Sequence, residues 1–173
     1  FAEGILQTLI EIGPHLLTAP EPVYDDRANL MWAATMALNG LIGAGVPQDW
    51  ATHMIGHELT ALYGIDHART LAIIAPRLFE NQLTNKRAML AQYGRRVWHL
   101  EGNEENVAKN AITKTEAFFH TLQIDTRISD YTTDTEHVAS IIRERFERRG
   151  WVAMGEHKAI TPNDVESIVN AAI

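Results

Sequence analysis

Eight histidines occur in the 173 residues, and three of them, His53, His57 and His67, fall within fifteen positions. Imidazole is a common ligand of divalent transition metals and the side chain best suited to exchanging a proton near neutral pH. This cluster therefore points to metal binding, proton transfer or both. His53 and His57 stand four apart, a spacing that puts two side chains on one helix face about 5 to 6 Å from each other. His67 can join them only if the chain reverses. A helix rises about 10 Å from His57 to Gly64, and the extended steps Gly64-Ile65-Asp66-His67 span about 10 Å, so His67 can return roughly level with His57. His53 lies a further turn away. A regular helix does not by itself aim three rings at one ion; Gly56, or the chain before Trp50, would have to adjust. The ordinary alternative makes His53 and His57 surface or core residues, and His67 a neighbour of Asp66 at the next helix start. Spacing alone leaves both readings open.

Three other patterns fail as sites. His57-Glu58 begins like the HExxH zinc-protease motif, but Ala61 stands where the second histidine must be. Gly40, Gly43 and Gly45 have the glycines of a dinucleotide loop in reverse order and follow a helix instead of a strand, so they mark a helix terminus. Asp49 and His53 fit a DxxxH ligand pair, yet Asp49 sits where a carboxylate caps free helix amides, and capping is the expected role. Arg143, Arg145, Arg148 and Arg149 alternate with Glu144 and Glu147 near a helix end and read as a solvated face. The other five histidines stand alone. Trp32 and Trp50 flank the histidine segment, where they could line a pocket, although tryptophans at helical spacing more often pack in a core.

The elements that must position these residues are helical. Apolar residues recur at three- and four-residue spacing along most of the chain, with 11 glycines and 6 prolines as punctuation. An N-terminal helix should kink or divide at Gly13-Pro14. A helix capped by Asp25 or Asp26 should run through Leu41 and, being apolar nearly all round, lie centrally. Asp49 or Trp50 opens a helix that stops at Gly64, and another starts at His67 or Ala68. Thr84, Glu104, Asp134 and Thr161-Pro162 mark further starts. No convincing strand, repeat or low-complexity stretch occurs. The expected fold is all-α, one domain over residues 1–173, with seven to nine helices in an orthogonal bundle.

Composition narrows the function. At 46% hydrophobic residues the chain can bury a sizeable core and a second small one. No cysteine is present, which removes disulfides, thiolate metal sites and cysteine nucleophiles and favours a reducing cytoplasm. Fifteen basic against 22 acidic residues leave a net charge of −7, which argues against a nucleic-acid partner. The uncharged stretch Ala28 to Gln48 approaches membrane-span length but carries Asn29, Thr35, Asn39 and glycines, so a soluble helix is expected there. The chain opens at Phe1 in an amphipathic pattern and reads as beginning in mid-protein.

The segments Asn39-Gly40-Leu41, Gln48-Asp49-Trp50-Ala51-Thr52-His53-Met54-Ile55-Gly56-His57-Glu58-Leu59, Gly64-Ile65-Asp66-His67-Ala68 and Leu71-Ala72-Ile73-Ile74-Ala75-Pro76 resemble the iron-containing, group III alcohol dehydrogenases. The resemblance is strongest to the bacterial NAD(P)H-dependent butanol dehydrogenases and broad-specificity aldehyde reductases, and it covers essentially the whole chain. Ala68 departs from the glycine many relatives have after the last histidine, and this departure fits the butanol dehydrogenase branch.

The resemblance implies that this chain is the C-terminal helical metal-site domain of a two-domain enzyme, without the N-terminal α/β domain that binds NADPH or NADH. It implies iron(II) or zinc held by His53 and His67 together with an upstream aspartate and histidine. It makes His57 the proton-transferring neighbour, and it implies aldehyde or alcohol substrates and a homodimeric intact enzyme. Two ligands make a weak site, so the 173 residues alone are expected to bind metal loosely and to be inactive. The competing expectation is a non-catalytic helical binding module with structural histidines.

Overall fold

Eight α-helices and two short 3-10 turns, with no strand, account for the regular structure of the computed structural model, which describes residues 1–173. The helices are α1 (Ala2–Thr18), α2 (Tyr24–Leu38), α3 (Ala51–Tyr63), α4 (His67–Asn81), α5 (Leu83–Val97), α6 (Glu104–Thr121), α7 (Val138–Arg148) and α8 (Pro162–Ala171). The all-α expectation and the helix number therefore hold. A single isolated bridge, Met154 to Ile160, is the only β pairing. No helix is long and apolar enough to cross a membrane.

The main core lies where α3, α4, α7 and α8 meet, and it is built from Ile55, Leu59, Ile73, Ile74, Leu78, Ile142, Phe146 and Ile168. A smaller core of Leu90, Ala91, Val107, Ala108 and Ile112 lies between α5 and α6. These side chains repeat at the three- and four-residue spacing that gives each helix one apolar stripe, and burying the stripes is what fixes the bundle. α8 begins as its sequence demands: Pro162 takes the first helical position, and Thr161 and Asp164 satisfy each other's amides in a capping box.

Several boundaries differ from expectation. α1 passes through Pro14 without dividing. A Cβ added at Gly13 would come within 3.1 to 3.2 Å of Leu122 and Phe118, so close packing against the end of α6 holds the helix together where proline removes a bond. Thr84 lies inside α5; Gln82 alone joins α4 to α5. α7 begins at Val138, because the Asp134 carbonyl accepts from the Tyr63 hydroxyl at 2.6 Å and its amide donates to Thr132 Oγ1 at 3.1 Å.

The largest correction concerns α2. It ends at Leu38, where Asn39 Oδ1 accepts from the Leu41 amide and Gly40 turns the chain at φ +90°. It is peripheral, not central: Ala33 is its only buried residue, while Met31 is 74% and Trp32 66% exposed. α2 packs on α1 alone among the long helices, so most of its apolar surface faces outward.

Candidate metal and proton-transfer site

Two helices and the reversal between them build the site. α3 stops because Gly64 adopts a left-handed conformation, φ +71°, and its amide donates to the Thr60 carbonyl at 2.9 Å. The Thr60 hydroxyl then donates to the Ile65 carbonyl at 2.9 Å and closes the turn. Ile65 is buried in the main core, and α4 starts directly at His67. α4 returns close along α3 because Gly56 leaves room. A Cβ there would sit 2.8 Å from Thr70 Oγ1 and 3.3 Å from Thr70 Cβ. Thr70 is fully buried, and its hydroxyl donates to the His67 carbonyl at 2.7 Å.

The three rings converge. His67 stands with its ring centroid 5.2 Å from that of His53 and 4.9 Å from that of His57, whereas His53 and His57 are 6.4 Å apart. An imidazole centroid lies about 3.2 Å from a cation bound by one of its nitrogens, so two ligands at a tetrahedral angle have centroids about 5.2 Å apart. The His53/His67 pair has that spacing, and the His57/His67 pair nearly so. Three rings on one tetrahedral ion do not fit, since a 6.4 Å separation opens the His53 and His57 angle to nearly straight. No group of three or more histidine or carboxylate side chains in the chain is arranged to hold an ion by itself. The donor set thus suits a pair of imidazole ligands with a third imidazole beside them. α3 needs no irregularity at Gly56 to achieve this; the glycine supplies space, and the reversal supplies the convergence.

The electrostatics favour a neutral His53. Burial, reinforced by the positive charge that His67 and His57 would carry, pushes the His53 imidazole below the ordinary histidine range. Its ring is half-buried, with Trp50 edge-on at 5.1 Å, while His57 and His67 are exposed. Trp50 therefore borders the site, whereas Trp32 lies exposed on α2, and neither packs in a core. The five other histidines do not join the cluster; His120 instead pairs with Thr126 Oγ1 at 2.9 Å.

Two ion clusters surround the site, and both were hidden in the sequence. Glu58, 4% exposed, is gripped by Arg145 at 2.7 Å and by Arg149. The arginine run of α7 is thus only partly a solvated face. Burial opposes charge on Glu58, but the two guanidinium hydrogen bonds outweigh it and hold the carboxyl below its usual range. Asp49 is the expected cap, with Oδ1 accepting from the Ala51 amide at 2.8 Å, and its Oδ2 also accepts from Lys86 Nζ at 2.7 Å. Lys86 in turn reaches both oxygens of Glu156 at 2.6 and 2.7 Å. Burial works against the Asp49 charge, yet its bonds from Lys86 and from the Ala51 amide keep the carboxyl low. Lys86 sits in a polar run, Thr84-Asn85-Lys86-Arg87, with nothing in its sequence neighbourhood to mark it.

Comparison with known proteins identifies the family. A family model described as the Fe-containing alcohol dehydrogenase family, C-terminal, matches residues 1–173. The NADPH-dependent aldehyde reductase YqhD of Escherichia coli (strain K12) is 52% identical over 173 residues, which are 99% of this chain and 44% of that protein. The NADH-dependent butanol dehydrogenase B of Clostridium acetobutylicum is 33% identical over 176 residues, 99% of this chain and 45% of its own length. The crystal structure of E. coli YqhD superposes with a TM-score of 0.94 at 52% identity, over 100% of this chain and 44% of that one. The NADH-dependent butanol dehydrogenase A of Thermotoga maritima superposes with a TM-score of 0.87 at 26% identity, over 99% and 44%. The chain spans less than half the length of these relatives. With its whole length matched by the family model, the chain belongs to the Fe-containing alcohol dehydrogenase family and corresponds to the C-terminal region of that family.

Proposed function

We propose that this chain is the metal-site domain of an alcohol dehydrogenase or aldehyde reductase that transfers hydride between NADPH or NADH and a small aldehyde or alcohol. In this reading His53 and His67 are metal ligands and His57 handles the proton. The observation that carries it is the position of the His67 ring, 5.2 Å from His53 and 4.9 Å from His57. The remaining ligands, an aspartate and a histidine, come from a helix upstream of these residues, and most of the cofactor contacts from an N-terminal α/β domain. Two facts support that division: the chain covers 44% of the E. coli relative, and α2 holds an apolar face that nothing in these 173 residues covers. By itself the chain then binds metal weakly and is inactive. The intact enzyme is a cytoplasmic homodimer.

A divalent ion, iron(II) or zinc, supplies a Lewis acid that polarises the carbonyl oxygen of the substrate. The chain's own residues supply the rest. His53 stays neutral near pH 7 and keeps a nitrogen lone pair free, because burial disfavours its protonated form. The exposed His57 stands beside the ligand pair, where it can relay a proton to a substrate oxygen placed there. Trp50 walls the His53 side and limits water access.

The test uses the full-length protein carrying this chain. His53→Ala and His67→Ala are expected to lose bound metal, measured by elemental analysis after anaerobic reconstitution. His57→Gln should keep metal and fold while aldehyde-dependent oxidation of NADPH or NADH falls by about 10²- to 10⁴-fold. Full metal content in His67→Ala, or full activity in His57→Gln, would overturn the assignment. If the wild-type protein reduces no aldehyde with either nucleotide, the non-catalytic binding module replaces it.

A further inference from the structure

We infer that Lys86 is a positioning residue for the metal site, acting through Asp49 on the first turn of α3; this rests on the reading of His53 as a ligand. The first amides of a helix have no partner within it and fray unless something outside accepts from them. α3 has no cap from Trp50, the residue at its N-cap position. The Asp49 carboxylate is the side-chain acceptor on that turn, at the Ala51 amide, two residues before His53. Between Asp49 and Ala51 stands Trp50, whose ring packs edge-on against the His53 imidazole. The direction of both rings therefore depends on where Asp49 is held.

Lys86 holds it. Its ammonium, 10% exposed, joins Asp49 to Glu156, side chains 37 and 70 residues away in the chain. Three elements are pinned at one atom: the start of α3, the first turn of α5, and the loop that the Met154 to Ile160 bridge closes. The loop is shaped for this approach. Gly155 turns at φ +78°, and a Cβ there would lie 3.0 Å from Asp49 Oδ2. Burying an ammonium between two carboxylates is a poor source of stability, because desolvation offsets the attraction, and apolar replacements of such clusters are often neutral. What the cluster does supply is direction: the Asp49 carboxylate is fixed by bonds at both oxygens. Groups bonded directly to metal ligands typically change metal affinity by about 10- to 100-fold, and Lys86, acting through Asp49 and the first turn of α3, should fall at the low end of that range.

The experiment compares cobalt(II)-loaded full-length protein with Lys86→Met and with Lys86→Met/Glu156→Gln, the second variant removing the carboxylate repulsion the first leaves behind. Cobalt release to a chelator and the visible ligand-field spectrum are read well below the unfolding temperature, with His53→Ala as control. Both Lys86 variants are expected to release cobalt about ten-fold faster, with shifted bands, while circular dichroism stays native. If Lys86→Met does not fold, the double variant carries the same comparison. A lysine that only stabilises the fold would lower the unfolding temperature and leave release rate and spectrum unchanged, which would overturn the inference. If His53→Ala holds cobalt as tightly as wild type, the ligand assignment falls; if it loses cobalt while the Lys86 variants behave as wild type, only the role of Lys86 falls.

Discussion

Gly56→Ala offers a sharp test of how the histidines are brought together. The added Cβ would lie 2.8 Å from Thr70 Oγ1, whereas ordinary contact begins at 3.4 Å, so 0.6 Å must be found. Thr70 is fully buried and cannot swing outward, and rotating its side chain breaks the 2.7 Å bond from its hydroxyl to the His67 carbonyl. The alternative is to move the start of α4 away from α3. Either response is felt at His67, one turn before Thr70. Misplacing a group by about 1 Å can cost about 10²-fold in an organised site, so a shift of about half that size should weaken metal binding on the order of ten-fold.

Stability should change less than the site does. Overpacking costs about 1 to 3 kcal/mol, while replacing a mid-helix glycine by alanine returns about 1 kcal/mol. Metal affinity by chelator competition and urea unfolding of the apo protein separate the two effects. Thr70→Ala alone loses the bond to the His67 carbonyl without the clash, so comparing it with Gly56→Ala separates loss of that bond from displacement of α4. A Gly56→Ala protein that binds metal like wild type and is more stable by about 1 kcal/mol would show that close approach of the helices does not set the His53 to His67 spacing.

Acid sensitivity should trace in part to Glu58. Its folded pKa lies below the ordinary value of 4.5, so its contribution is fully present above that value and is lost as pH falls through the lower folded pKa. Urea unfolding from pH 6 to pH 3 should therefore show falling stability, with a shallower fall in Glu58→Gln; identical slopes would refute the link. At pH 7 the same variant should lose about 2 kcal/mol, less than a fully buried pair would, because Arg145 and Arg149 are 31% and 42% exposed. Phe146→Ala, at a fully buried position packed edge-on against Trp151, should cost about 3 to 5 kcal/mol in the same assay, and a loss under about 1 kcal/mol would mean that the α7 core repacks.

The convergence of the histidines was partly legible: local signals made it possible, while the choice between a site and ordinary histidines rested on the resemblance. A four-residue spacing fixed the face shared by His53 and His57, Gly64 fixed the end of α3, and the short reach to His67 fixed the return. Each acts within a few residues. The helix starts at Glu104 for α6 and at Thr161-Pro162 for α8 were legible for the same reason. Starts marked by one polar residue, Thr84 and Asp134, were not, since neighbouring elements claimed the backbone there. Long-range ion partners left no trace either: the grip on Glu58 spans 87 and 91 residues, and nothing in the α7 arginine run shows which members face a carboxylate and which face water.

α2 shows where periodicity itself misleads. A helix apolar on nearly every side must be covered on every side, and in a chain complete in itself that places it centrally. Met31, Trp32 and Leu38 are instead exposed, and only the Ala33 side is packed. The pattern reports what the surface was selected to touch, not where the helix lies within these 173 residues. A peripheral helix with exposed tryptophan and methionine, on a chain matching less than half the length of its relatives, has the surface expected of an interface with the proposed cofactor domain. The same logic applies to the metal site. Two imidazoles at ligand spacing without a third donor are a poor metal site alone, and in the proposed enzyme they would need the aspartate and histidine from upstream to complete it.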